Sequence, residues 1–200
     1  MIIKESMKAP GKPRRRLFVV AMSLIVSGAA ALSPTPAVAA PAGDVSVLAD
    51  SHWWANVAGS NAAGAHKALD IKDLSVADGA VVQLWTYSGG NQQRFYHDSI
   101  GSSVIKLRNV NSGKCLDTRG PSDADGTQVH QWNCYSTDSQ TWRQENAGTR
   151  IVNGSTKTVY RFVNLFGRDT CLDNAGGSGN NNNNKIQIWT CNGSANQLWY

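Results

Sequence analysis

Acidic side chains of one kind are almost missing: beyond residue 39 the chain has a single glutamate, Glu145. Glycoside hydrolysis usually needs two carboxylates set across one bond, and this scarcity argues against it. The four histidines, His52, His66, His97 and His130, form no HExxH or comparable ligand pattern, and no Gly-x-Ser-x-Gly occurs. Neither a metal, a cofactor nor catalysis is expected. Long apolar runs are also lacking. The longest, LFVVAMSLIV, covers Leu17 to Val26, well short of the roughly 20 residues that a spanning helix needs, so no membrane span is expected.

That run instead follows Arg14-Arg15-Arg16 and ends in AVAAP, the pattern of a secretory signal peptide over residues 1–39. Cleavage after Ala39 fits the small-x-small rule better than cleavage after Ala40, which would place Pro41 directly behind the cut. The paired arginines leave a twin-arginine route open. Residues 1–39 hold six of the 19 Lys and Arg and one of the 14 Asp and Glu, leaving 13 of each. The remaining chain is therefore near neutral, has no basic run to match a row of phosphates, and is not expected to bind nucleic acid. We expect a secreted, extracellular monomer.

What is present is repetition. HKALDIKDLSVADGAVVQLWTYSGGNQQRF starts at 66, GKCLDTRGPSDADGTQVHQWNCYSTDSQTW at 113 and DTCLDNAGGSGNNNNNKIQIWTCNGSANQLW at 169. The Asp of each Leu-Asp pair precedes the first tryptophan of its unit by 15, 15 and 16 residues. The units span about 44–99, 100–146 and 147–200. Differences in length are expected in loops, with Val152–Tyr160 and the Asn180–Asn184 run as candidates, the latter as a solvated turn.

Alternation assigns faces. Val82 and Leu84 oppose Gln83, Trp85 and Tyr87, and Ile186 and Ile188 oppose Gln187, Trp189 and Cys191. Leu69, Leu116 and Leu172 belong to the aliphatic side, and Asp70, Asp117 and Asp173 to the other. The tryptophans thus share a face with polar residues, although alternation alone leaves open whether Trp85, Trp132 and Trp189 are core or exposed. Phe95, Trp142 and Trp199 are expected in the core, and Trp53 and Trp54 to close the fold at the start of the domain. An even cysteine count in an exported chain, without CxxC, reads as disulfides. Cys115 with Cys134 and Cys171 with Cys191 would each join the Asp strand to the Trp strand. The first unit has Ala68 and Tyr87 at both matching positions, the joint loss that a bonded pair predicts.

Cys-Leu-Asp, Gln-x-Trp-x-Cys and Asn-Gln-x-Trp, taken together across residues 40–200, resemble the ricin B-chain-type lectins, the QxW-repeat β-trefoils that include family 13 carbohydrate-binding modules. The resemblance implies an all-β, twelve-stranded trefoil with three pseudo-symmetric repeats and one shallow sugar pocket per unit. It implies sugar contacts at Asp173, Gln187, Trp189, Asn196 and Gln197 in the third unit, and at Asp70, Gln83, Trp85, Gln92 and Gln93 in the first. The second unit, with Asp117, His130, Trp132 and Gln140, departs most: His130 replaces Gln, Ser139 replaces Asn, and polar Gln131 takes an aliphatic position. It is expected to be the weakest. Chemically, an indole plane suits the C–H face of a pyranose, and carboxylate and amide groups suit its hydroxyls. A polysaccharide or glycan is the expected partner. The rival is a secreted trefoil that binds a protein, such as a protease inhibitor, which would not need three matched Asp-Trp pairs.

Overall fold

Leu69, Leu84, Leu116, Leu172, Ile186 and Ile188 have no exposed surface, so the aliphatic side found by alternation does form the core of the computed structural model, which describes residues 50–120, 122–176 and 181–200. Phe95, Trp142 and Trp199 join it, fully buried, together with Phe162 and Trp54. Burying a side chain of this size stabilises by roughly 1.5–3 kcal/mol. The indole N–H groups of Trp142 and Trp199 donate to the carbonyls of Leu116 and Leu172, at 3.3 and 3.1 Å, so neither is buried unsatisfied.

The described residues form eleven strands: β1 (Ser51–His52), β2 (Lys67–Ile71), β3 (Val82–Thr86), β4 (Phe95–Gly101), β5 (Val104–Asn109), β6 (Cys115–Thr118), β7 (Val129–Trp132), β8 (Trp142–Val152), β9 (Ser155–Asn164), β10 (Thr170–Asn174) and β11 (Asn184–Thr190). The hairpins β2–β3, β6–β7 and β10–β11 share one register. Asp70 faces Gln83, Asp117 faces His130 and Asp173 faces Gln187; Ala68, Cys115 and Cys171 face Trp85, Trp132 and Trp189. The ladder β4–β5–β8–β9 carries the other strands of the units. It is closed by reciprocal bonds between Ala55 and Tyr200, both 3.0 Å, and by the bridges of Trp199 with Asn56 and Tyr160. With those short segments counted, β2 to β11 complete the β-trefoil.

The threefold relation extends to polar residues that hold the units together. Asn56, Asn109 and Asn164 each turn their Nδ2 onto backbone carbonyls in or beside a 3-10 turn: Asn196 and Leu198, Asn91, Gln92 and Arg94, and Ser139 and Thr141. At the axis the three hairpins meet through Val81 with His130, Gln128 with Gln187, and Asn184 with Leu84. Gln128 Nε2 lies 3.1, 2.7 and 2.9 Å from the carbonyls of Val82, Val129 and Ile186, one from each unit.

Both disulfides form as paired in the sequence, Cys115–Cys134 and Cys171–Cys191. Where the first unit has none, Trp53 stacks on Tyr87 with ring centroids 4.2 Å apart, so an aromatic contact fastens the start of the domain at that position. Trp54 is buried, and its Nε1 donates to His97 Nε2 at 2.9 Å.

A short helix, α1 (Val57–Ala63), accompanies the strands, with Asn56 Oδ1 accepting the Gly59 N–H at 3.0 Å and Gly64 closing it at φ 65°. Two expectations change. Val152–Tyr160 is not an open loop but the end of a lengthened β8–β9 hairpin turning at Asn153-Gly154, both at positive φ, the preferred chemistry for such a turn. Val57, Val152, Val159 and Leu198 pack there as a small second core. Within the Asn run, Asn182 and Asn184 are not merely solvated: Asn182 Oδ1 accepts from Thr86, and Asn184 Nδ2 donates to Asn174 Oδ1 at 2.6 Å and to the Ala175 carbonyl at 2.7 Å; Asn180 lies outside the described residues. So does the export signal expected over residues 1–39. Among the described residues no helix is long and apolar enough to cross a membrane, and no group of three or more His, Cys, Asp or Glu side chains could hold a metal.

Candidate functional site

Trp85, Trp132 and Trp189 are 38%, 39% and 41% exposed, while Trp142 and Trp199 have no exposed surface. That contrast separates platform indoles from core indoles. Each platform stands at the end of a strand whose preceding residue points into the core, which is what a period of two dictates.

The carboxylates beside them are not free in solvent. Asp70 and Asp173 are 4% and 2% exposed. In the first unit Gln83 Nε2 donates to Asp70 Oδ1 at 2.8 Å and Gln92 Nε2 to Oδ2 at 3.4 Å. In the third, Gln187 Nε2 donates to Asp173 Oδ1 at 3.0 Å, Gln197 Nε2 to Oδ2 at 3.1 Å, and Asn196 Nδ2 also to Oδ2. Burial pushes both carboxyl groups above the usual range; the amide donors oppose this, and Asp73 and Asp125 add repulsion at Asp70 and Asp173 respectively. Gln83 Oε1 is buried without a hydrogen-bond partner among the described residues.

The second unit differs in kind. Gln140 Nε2 donates to Asp117 Oδ2 at 2.8 Å, and among the described residues no side chain donates to Oδ1. His130, opposite Asp117 in the ladder, stacks on Trp132 with centroids 5.5 Å apart and 28° between planes. Burial holds the His130 imidazole below its ordinary value. Gln131, the polar residue at an aliphatic position, is fully buried and satisfied: Ser112 donates to its Oε1 at 2.6 Å, and its Nε2 donates to the carbonyls of Ser75 and Ala77 at 2.9 and 3.0 Å.

Gln93, Gln140 and Gln197 have no exposed surface, so they cannot touch a ligand as they stand. Their Oε1 atoms accept the backbone N–H of Ser88, Tyr135 and Asn192, and their Nε2 atoms donate to the carbonyls of Thr86, Asn133 and Thr190. They fold each 3-10 turn back on its hairpin and hold Asp117 and Asp173 in place.

A set of residues singled out by no motif completes each site from the neighbouring unit. Asn182 Oδ1 accepts the N–H of Thr86 at 2.8 Å, Asp78 Oδ1 that of Asn133 at 2.9 Å, and Asp125 Oδ1 that of Thr190 at 2.7 Å. The donor is always the residue after the platform tryptophan. The residues after these acceptors, Gly79, Gly126 and Asn183, all have positive φ, 80°, 87° and 68°, which favours glycine or asparagine. The Asp-Gly pairs fall eight residues past Asp70 and Asp117; that repeat was the available signal.

Two grooves result. One, about 690 Å³, is lined by Asp117, His130, Trp132, Tyr135, Phe166 and Gly79. The other, about 400 Å³, is lined by Asp70, Gln83, Trp85, Gln92, Leu74 and Asn183. The unit expected to be weakest thus borders the larger groove.

The model of the family described as "Ricin-type beta-trefoil lectin domain-like" matches residues 56–132 and 91–160. No curated protein matches the chain in sequence. Among solved structures, a designed three-fold symmetric protein, ThreeFoil, is 27% identical with a TM-score of 0.65, over 75% of this chain and 96% of its own. An exo-beta-1,3-galactanase from Clostridium thermocellum is 25% identical with a TM-score of 0.65, over 75% of this chain but 29% of its own. A ricin B-like lectin from Macrolepiota procera, solved in complex with lactose, is 20% identical with a TM-score of 0.56, over 74% and 91% of the two chains. With the repeat register, the exposed indoles and the family match in agreement, the chain belongs to the ricin-type β-trefoil lectin-like family.

Proposed function

We propose that this protein is a secreted, non-catalytic carbohydrate-binding protein that takes a polysaccharide or glycan on the tryptophan platforms of its three units. The observation that carries the reading is the threefold recurrence of an exposed indole beside a carboxylate that amide or imidazole side chains surround. An indole offers the C–H face of a pyranose a flat partner, and an anchored carboxylate accepts hydroxyl hydrogens in charge-assisted bonds. Because disulfides and buried amides already fix the geometry, little ordering accompanies binding.

Each site is shallow, so affinity for one sugar is expected near millimolar, on the order of 4 kcal/mol. Several sites on one rigid body raise apparent affinity for a polymer by about a hundredfold or more when they reach it together. A polymer is therefore the favoured ligand. The third unit, whose carboxylate has the most donors, serves as principal site and the first as its helper. Glu145 supports binding rather than hydrolysis: it is held between Arg143 and Arg161, which keep it below the usual carboxylate range.

Galactosides, xylan and arabinan all present suitable hydroxyl pairs, and the lactose-bound and galactanase relatives put galactosides first to be tried. A glycan array identifies the sugar. Retention on the matching polysaccharide should then be weakened in the Trp189→Ala, Asp173→Ala double variant with its fold intact. Unchanged retention contradicts the site, and a protein-binding role would be indifferent to Asp173→Ala.

A further inference from the structure

Every groove described above borrows a wall from another unit, and the borrowed residue differs. In the first unit it is Asn183, contributed by the third-unit loop, and the groove measures about 400 Å³. In the second it is Gly79, contributed by the first-unit loop, and the groove measures about 690 Å³. A side chain placed at Gly79 would meet the Trp132 ring, since a Cβ there lies 3.5 Å from Cζ3. The equivalent Cβ at Gly126 lies 3.9 Å from Cζ3 of Trp189. Glycine at this position therefore leaves the edge of the platform open, whereas in the first unit an asparagine side chain stands in the lining of the groove.

The second groove has two further features that the first lacks. Tyr135, 53% exposed, and Phe166 from the third unit extend the aromatic wall beyond Trp132. Asp117 lines the groove and, unlike Asp70, keeps one carboxylate oxygen, Oδ1, without a side-chain donor among the described residues. That oxygen is an open acceptor along a groove bounded by all three units.

We propose that the sites are graded by ligand length through this borrowed residue: the second unit takes an internal run of two or more sugar rings, and Asn183 restricts the first to a single terminal ring. The inference rests on the carbohydrate reading above and adds to it which unit holds a chain interior and what sets the limit.

The test isolates one site at a time by removing the other platforms, whose exposed side chains are dispensable for the core. The Trp85→Ala, Trp189→Ala variant keeps the second site; the Trp132→Ala, Trp189→Ala variant keeps the first. Each is titrated calorimetrically with galactose, xylose and arabinose oligomers of one to six rings. For the second site, affinity should rise about tenfold between one ring and three, an increment of roughly 1.4 kcal/mol, and adding Gly79→Asn should abolish the rise. For the first site, affinity should be flat with length, and adding Asn183→Gly should introduce a rise. Should Gly79→Asn fail to fold, Asn183→Gly decides alone, because glycine accepts the positive φ there. A length dependence that is equal in the two sites, or unmoved by these substitutions, overturns the grading and leaves carbohydrate binding intact. Failure of the wild-type protein to bind any of the oligomers, or the corresponding polymers, overturns both.

Discussion

Asp125 Oδ1 accepts the backbone N–H of Thr190 at 2.7 Å across the boundary between the second and third units. The same carboxylate accepts the Thr190 hydroxyl at 3.0 Å and pairs with Arg168 at 2.9 Å. Because Thr190 follows Trp189, the bond fixes the backbone beneath the platform. Asp125→Ala is expected to weaken sugar binding at the third site several-fold while leaving the first unchanged. These partners are exposed, so the stability cost should stay near 1 kcal/mol. Site-isolated titrations together with urea unfolding check both halves of that statement.

Gln128 offers two amide hydrogens to three carbonyls at the axis. Gln128→Ala would leave those carbonyls short of a donor where the hairpins meet, at about 1–3 kcal/mol for each group left unsatisfied. Equilibrium denaturation should show a loss within that range without a change in the spectroscopic signature of the fold. A neutral result would mean that the three hairpins do not depend on a shared donor.

Alternation and spacing made a large part of this legible. A period of two placed Trp85 and Trp189 opposite Leu84 and Ile188, and the joint replacement of Cys by Ala68 and Tyr87 disclosed both disulfides, because each of these relations lies within one hairpin. Relations between units were not legible. Nothing local marks Gln128 as an axial donor, or Asn182 as the counterpart of Asp78 and Asp125, since their partners lie in other repeats. The inward orientation of Gln93, Gln140 and Gln197 was not legible for a related reason. The motif shows that they recur, but only the folded 3-10 turn shows them facing inward.

Removing the third-unit disulfide through Cys171→Ser with Cys191→Ser should cost roughly 3 kcal/mol by the chain-entropy argument. The same change also releases the strand bearing Asp173 from the segment that follows Trp189. Binding at the third site should therefore fall further than the fraction unfolded accounts for, which calorimetry on the folded population would reveal.

The Trp54 Nε1 to His97 Nε2 bond requires an unprotonated acceptor. Burial and the neighbouring His52 push His97 down from 6.5 to about 4, with Asp98 opposing. A base with a depressed folded value is protonated first in the unfolded chain, so this contribution to stability is complete above pH 6.5 and is lost as pH falls toward 4. Melting temperatures across that window should drop in the wild type and change less in His97→Gln.

Asp70 and Asp173 behave in the opposite sense. Burial raises them, so the fold favours their protonated forms and their contribution to stability rises as pH falls through the raised range. Sugar hydroxyls need the ionised forms as acceptors. Binding at the first and third sites should thus weaken on acidification at a pH above that of an ordinary aspartate, while the fold persists.

Three solvent-facing indoles, each backed by an anchored aspartate, stand or fall by one comparison: affinity electrophoresis in gels containing the array-identified polysaccharide, run on the wild type and on Trp85→Ala, Trp132→Ala, Trp189→Ala combined. The account predicts a retarded wild type and a triple variant that migrates as in a plain gel with its melting temperature nearly unchanged. Retardation of the folded triple variant equal to that of the wild type would contradict it.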